Sequence, residues 1–137
     1  MPKADKLSPG AVTLLQEKQI AQLATTMKDN SPQVTPVWID VEPDGSHLLI
    51  NTAEGRLKTR NAERDPRVAV SVVDAQNPYR YAIVRGRIVE RRHEGADAHI
   101  DKLAKKYLDA DSYPMRRADE QRVILRIKPE HVIEQGV

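Results

Sequence analysis

Three groups of residues in this sequence could act together on a ligand. The first is the run Asn51-Thr52-Ala53-Glu54-Gly55-Arg56-Leu57-Lys58-Thr59-Arg60-Asn61, with Glu63 and Asp65-Pro66-Arg67 close behind. Residues 57–64 have the pattern of a short helix stopped at Asp65-Pro66. Arg56, Lys58 and Arg60 crowd its start, while Glu63 and Asp65 sit near its end. That is the reverse of what the helix dipole favours, and each misplaced charge costs about 0.3–1 kcal/mol. A helix start also presents free backbone N–H groups, which bind anions. A phosphate at this point would reconcile cations and amides. A solvated surface helix that ignores the dipole is the other reading of the same pattern.

The second group is Asn77-Pro78-Tyr79-Arg80-Tyr81. It can be an aromatic and cationic rim that stacks on a ring or holds an anion, or simply a turn leading into an amphipathic strand. The third is the strand segment Thr35-Pro36-Val37-Trp38, which carries the only tryptophan. Trp38 can line a ring pocket, and it can equally be core or a subunit contact.

Other chemistries lack their residues. There is no cysteine, which removes thiolate nucleophiles, iron–sulfur clusters and Cys-based zinc sites. His47, His93, His99 and His131 have no partner at a recognised ligand spacing, so no metal is expected. No GxGxxG, P-loop or GxSxG motif occurs. If the chain is an enzyme, a bound organic cofactor carries the reactivity.

The formal charge is only +2, which argues against a chain that coats nucleic acid by charge alone. The distribution is uneven. From Arg56 to Arg92 there are ten cations and four acids, a local +6, and the remainder carries −4. A basic middle in a balanced chain points to a local anion site. No apolar run approaches the roughly 20 residues needed to span a bilayer, and the start has no secretory pattern. A cytoplasmic protein without membrane contact is the expectation.

The elements that must position these groups follow from periodicity. The 137 residues suit one domain. Ser8-Pro9 opens a helix running to about Lys18. Strands are expected over 20–27, 33–41, 47–53, 68–73, 79–91 and 123–128. Pro36 inside the second implies an edge, a bulge or a ligand lying against it. Gly86 marks a bend or bulge in the fifth. Residues 94–108 form the clearest helix, with a stripe of Ala96, Ile100, Leu103, Ala104, Tyr107 and Leu108. Residues 109–119 read as a polar connection with room for one helical turn, and the segment after Pro129 carries no clear pattern. Six strands joined by short turns make a mainly β member of the α+β class. A six-stranded antiparallel barrel with flanking helices is preferred over an open sheet.

These segments, in this order, resemble the split β-barrel superfamily of flavin and deazaflavin proteins related to pyridoxamine 5′-phosphate oxidase. The likeness spans nearly the whole chain. It is strongest at Gly55-Arg56-Leu57-Lys58-Thr59-Arg60-Asn61 with Asp65-Pro66-Arg67, then at Tyr79-Arg80-Tyr81 and Arg85-Gly86. It looks most like the branch that uses the deazaflavin coenzyme F420. The resemblance implies a homodimer with two cofactor sites at the subunit interface. It implies that Arg56, Lys58 and Asn61 hold the cofactor phosphate, with Thr59, Arg60 and Asn51 close by. Thr35, Pro36, Val37 and Trp38 would run along the ring system, and Tyr79, Arg80 and Tyr81 would reach it from the other subunit. Arg126 or Lys28 would meet the oligoglutamate tail of the deazaflavin. The implied activity is transfer of a hydride to an electron-poor double bond of a small organic substrate. FMN as cofactor, or a non-catalytic F420 carrier, are the alternatives. No residue stands out as a general acid; Tyr79, Tyr81 and solvent are the candidates.

Overall fold

A computed structural model describes residues 3–137. In chain order the elements are α1 (Pro9–Gln16), β1 (Ala21–Thr26), β2 (Pro32–Val37), β3 (Asp40–Val41), β4 (Leu48–Ala53), α2 (Leu57–Arg64), β5 (Arg67–Asp74), β6 (Asn77–Arg92), α3 (Ala96–Leu108) and β7 (Arg122–Gln135). All strand pairs are antiparallel, in the order β2-β1-β5-β6-β7-β4-β3. The two edge strands, β2 and β3, are consecutive in the chain. Only Trp38 and Ile39 separate them, so Val37 and Asp40 lie at most about 11 Å apart. Edges tied that closely require the sheet to curl, and the result is a half-barrel consistent with the split-barrel expectation.

The strand count differs from expectation: there are seven, not six. The stretch expected as one strand over 33–41 is divided at Trp38–Ile39, where the backbone bonds to α3 instead of to a neighbouring strand. The Ile39 N–H donates to the Tyr107 hydroxyl at 3.0 Å, and the Ile39 carbonyl accepts from Lys106 Nζ at 2.7 Å. Among the described residues no ladder joins β2 to β3, as a split barrel requires.

The last strand is also longer than expected. β7 continues through Pro129 to Gln135. Proline lacks the N–H a ladder needs, yet Pro129 stands opposite Gly86, where the register shifts at a bulge. A side chain at Gly86 would come within 2.1 Å of the Lys128 carbonyl, so only glycine admits this approach. The expected bend at Gly86 is thus present. The 109–121 connection contains turns and no helix.

Two apolar clusters organise the interior. The main one fills the concave side of the sheet under α1, with Leu14, Leu15, Leu23, Ile50, Leu125 and Ile127 fully buried. Ser8 caps α1, its hydroxyl accepting from the Ala11 N–H. The smaller cluster joins Ile100, Leu103 and Tyr107 of α3 to Trp38 and Tyr113. No helix among the described residues is long and apolar enough to cross a membrane.

Candidate functional site

A cavity of about 330 Å³ opens beside the smaller cluster. One wall is apolar and aromatic: Ile20, Pro36, Val37, Trp38, Ile100, Tyr113 and Met115. The Trp38 ring stacks on Tyr107 at 5.1 Å and meets Tyr113 edge-on at 6.0 Å. The opposite wall is cationic and polar: Arg56, Lys58, Asn51 and Arg122. No acidic side chain is part of either wall.

The cationic wall is built by the β4–α2 junction. Gly55 has φ +88°, a conformation glycine accepts freely, and it turns the chain into the helix. Arg56 occupies the N-cap of α2, a place where serine or aspartate would normally bond the first amides. An arginine offers no acceptor, and α2 has no side-chain cap. The free N–H groups and two cations therefore share one end of the helix. Lys58 is half-buried, and it makes no ion pair among the described residues. Its pKa is drawn below the ordinary lysine range by burial first, then by the charges of Arg56 and Arg122. Among the described residues Glu120 is the counter-charge that pairs with these cations, shared between Arg56 at 3.4 Å and Arg122 at 2.5 Å. Three cations line the cavity against this single carboxylate, a net of +2. An anion would relieve their repulsion.

At the other end of α2 the charge mismatch is partly cancelled within the chain. The Asp65 carboxylate is taken by Arg67, which holds it near pKa 2, and Arg64 adds a cation to the last turn. Only the start of the helix is left uncompensated.

Of the expected site residues, Pro36, Val37, Trp38, Asn51, Arg56 and Lys58 come together on the cavity. The others stand elsewhere in the chain. Thr35 precedes Pro36 on β2, opposite Leu23. Thr59 and Asn61 are buried on the inner side of α2. The Thr59 hydroxyl donates to the Ala53 carbonyl, and Asn61 donates to Thr25 while accepting from Arg64. Arg60 is exposed. Arg80 is clamped by Glu17 at 2.8 Å and Asp74 at 2.9 Å, while Tyr81 donates to Gln135. Tyr79 is 73% exposed. Arg126 pairs with Glu42 and Glu90, and Lys28 is exposed on the turn after β1.

Asn51 reaches the cavity, yet both its Nδ2 hydrogens and its Oδ1 are engaged within the chain. Its Nδ2 donates to the Ala96 carbonyl at 2.8 Å and to His99 Nδ1 at 3.1 Å, and its Oδ1 accepts from Arg122 Nε at 2.9 Å. His99 Nε2 in turn donates to Asp40 at 2.9 Å. Five cavity residues were not singled out from the sequence: Ile20, Ile100, Tyr113, Met115 and Arg122. Arg122 had one available signal, its place at the head of an alternating strand on the same face as Ile124 and Arg126.

Comparison with known proteins agrees with this architecture. An F420 reductase of known structure superposes with a TM-score of 0.80 and 31% identity, covering 94% of this chain and all of that one. The F420H(2)-dependent biliverdin reductase of Mycobacterium tuberculosis (strain CDC 1551 / Oshkosh) is 29% identical over 129 residues, 93% of this chain and 88% of that protein. Rv2991 of the same species shares the fold at TM-score 0.71 and 21% identity, over 98% of this chain and 89% of that one. Residues 7–136 match the family described as pyridoxamine 5′-phosphate oxidase. A match of that extent, over a curled antiparallel sheet with its cationic helix start, means that the chain belongs to the pyridoxamine 5′-phosphate oxidase family.

Proposed function

We propose that this chain is a reductase that uses coenzyme F420 to reduce an electron-poor double bond of a small organic substrate. The observation that carries the reading is the cavity itself, in which Lys58, without an acid partner among the described residues, shares a wall with Arg56 and Arg122 opposite an aromatic one. The residues fit the deazaflavin at both ends. The uncapped start of α2 with Arg56 and Lys58 matches a phosphate, and Pro36, Val37 and Trp38 offer a flat apolar surface to a ring. The likeness to two F420-dependent reductases supports the choice of cofactor.

When bound, the reduced deazaflavin supplies a hydride from its ring. The chain's own contribution is to hold the ring face and the acceptor in line, so that much of the barrier is met by orientation. Solvent at the cavity mouth delivers the proton that completes the reduction. Biliverdin, the substrate in the name of one relative, is the first acceptor to test. The functional unit is a homodimer in which Tyr79, Arg80 and Tyr81 approach the partner's cofactor.

A net +2 also suits the phosphate monoester of FMN, so the two cofactors are compared directly. Calorimetric titration of the purified protein is expected to show F420 binding tighter than FMN by at least tenfold. In Arg56→Ala/Lys58→Ala, F420 affinity should fall about 10- to 100-fold, since two charge-assisted contacts are lost. Equal affinity in wild type and double variant would sink the phosphate assignment, and tighter FMN binding would replace the deazaflavin by a flavin.

A further inference from the structure

Arg122 opens β7 opposite Ala53 and is only 5% exposed. A buried guanidinium is unfavourable unless its donors are met. Nε is met by Asn51 and Nη1 by Glu120, and the cation lies over the Tyr113 ring at 5.1 Å. Nη2 has no protein acceptor among the described residues, nor is it one of the sealed, unpaired atoms. It is therefore open to solvent, and Arg122 lines both the cavity and a second pocket that it shares with His93, Asp97 and Glu120. The seat is built from behind: Asp40 orients His99, His99 and Ala96 orient Asn51, and Asn51 holds the guanidinium.

Its place in the cavity differs from that of the other two cations. Arg56 and Lys58 flank the start of α2, whereas Arg122 stacks on Tyr113, whose ring meets Trp38. Glu120 lies closer to Arg122, at 2.5 Å, than to Arg56, at 3.4 Å, so a phosphodiester at α2 answers Arg56 and Lys58 first. On the aromatic side Arg122 keeps Nη2 as a charged donor without a protein acceptor among the described residues.

We propose that Arg122 is a specificity-determining residue that receives a carboxylate of the substrate, with Asn51 and Glu120 as its positioning residues. The preferred acceptors are then conjugated molecules bearing an acid group near the reducible bond. This rests on the deazaflavin reading above.

The test uses the full chain saturated with oxidised F420 and two probe pairs: biliverdin with its dimethyl ester, and cinnamic acid with methyl cinnamate. Dissociation constants are measured by calorimetry in wild type, Arg122→Gln and Arg122→Lys. Wild type should favour the acid by about tenfold or more in at least one pair, the worth of one charge-assisted hydrogen bond. The preference should fall below twofold in Arg122→Gln. It should be intermediate in Arg122→Lys, which keeps the charge and loses the planar guanidinium that Asn51 and Glu120 hold in place. F420 affinity should fall less in either variant than in Arg56→Ala/Lys58→Ala. No acid preference in wild type in either pair overturns the proposal, as does a preference that survives Arg122→Gln. A loss of F420 affinity like that of Arg56→Ala/Lys58→Ala would assign the guanidinium to the cofactor and also overturn it. If Arg122→Gln does not fold, as its melting curve would show, the Arg122→Lys ratio decides. Failure of wild type to bind F420 at all is a separate result, and it removes the reading on which this one stands.

Discussion

Asp40 is 6% exposed and lies on the short strand β3, behind the cavity wall. Burial by itself would raise its pKa. The hydrogen bond from His99, the Val41 N–H and the charge of Lys102 outweigh burial and bring it down to about 2. Because the folded pKa is below the unfolded one, the stabilisation is fully present above about pH 4 and is lost as pH falls through 2. Asp40→Asn should therefore cost about 2 kcal/mol at neutral pH. Its stability, followed by chemical denaturation, should also be flatter between about pH 4 and pH 2 than that of wild type. A parallel acid limb in the two proteins would show that the carboxylate contributes nothing. The same substitution should loosen Asn51 and with it Arg122, so ligand affinity should fall along with stability.

The decisive element is α3, which governs where the edge strands stop. The Tyr107 hydroxyl accepts from the Ile39 N–H and donates to the Gln19 carbonyl at 2.5 Å; Lys106 Nζ bonds the carbonyls of Leu15 and Ile39. Tyr107→Phe leaves a buried N–H without its partner, a loss of about 1–3 kcal/mol measurable as a lowered melting temperature. Gly86→Ala should destabilise by at least 1–3 kcal/mol in the same measurement, because the new methyl meets a backbone carbonyl rather than a yielding side chain. These two positions also mark where the sequence is readable. The stripe of Ala96, Ile100, Leu103, Ala104, Tyr107 and Leu108 is local and periodic; the first five are buried as expected, whereas Leu108, the last residue of α3, is exposed. The break at Trp38–Ile39 is imposed by a hydroxyl 68 residues away, so residues 33–41 read as one strand. Pro129 and Gly86 each read as a disruption. Only their alignment across β6 and β7 shows that one accommodates the other.

At the scale of the molecule, charge had to be read in space rather than along the chain. Of the ten cations between Arg56 and Arg92, two line the cavity. Arg67, Arg80, Arg87, Arg91 and Arg92 are engaged by carboxylates on other parts of the surface. The third cavity cation, Arg122, comes from the segment whose net charge is negative. The Tyr79–Tyr81 group does not reach this chain's own cavity, and in the proposed dimer it serves the partner. Light scattering should then give a mass twice 15.5 kDa. Tyr79→Asp, at an exposed ring, should shift that mass toward the monomer and weaken F420 binding together. A monomeric wild type that binds F420 with full affinity would remove the interface from the account.

The joint between the two sheet edges has an optical consequence. The chain contains a single tryptophan, and it stands at that joint, stacked on Tyr107 and facing the cavity. All indole emission from this protein thus reports on one wall of one site. A ring compound sliding against Trp38 will quench it, and parting of the sheet edges will shift its colour toward that of indole in water. The unlabelled protein carries its own probe of occupancy and of opening.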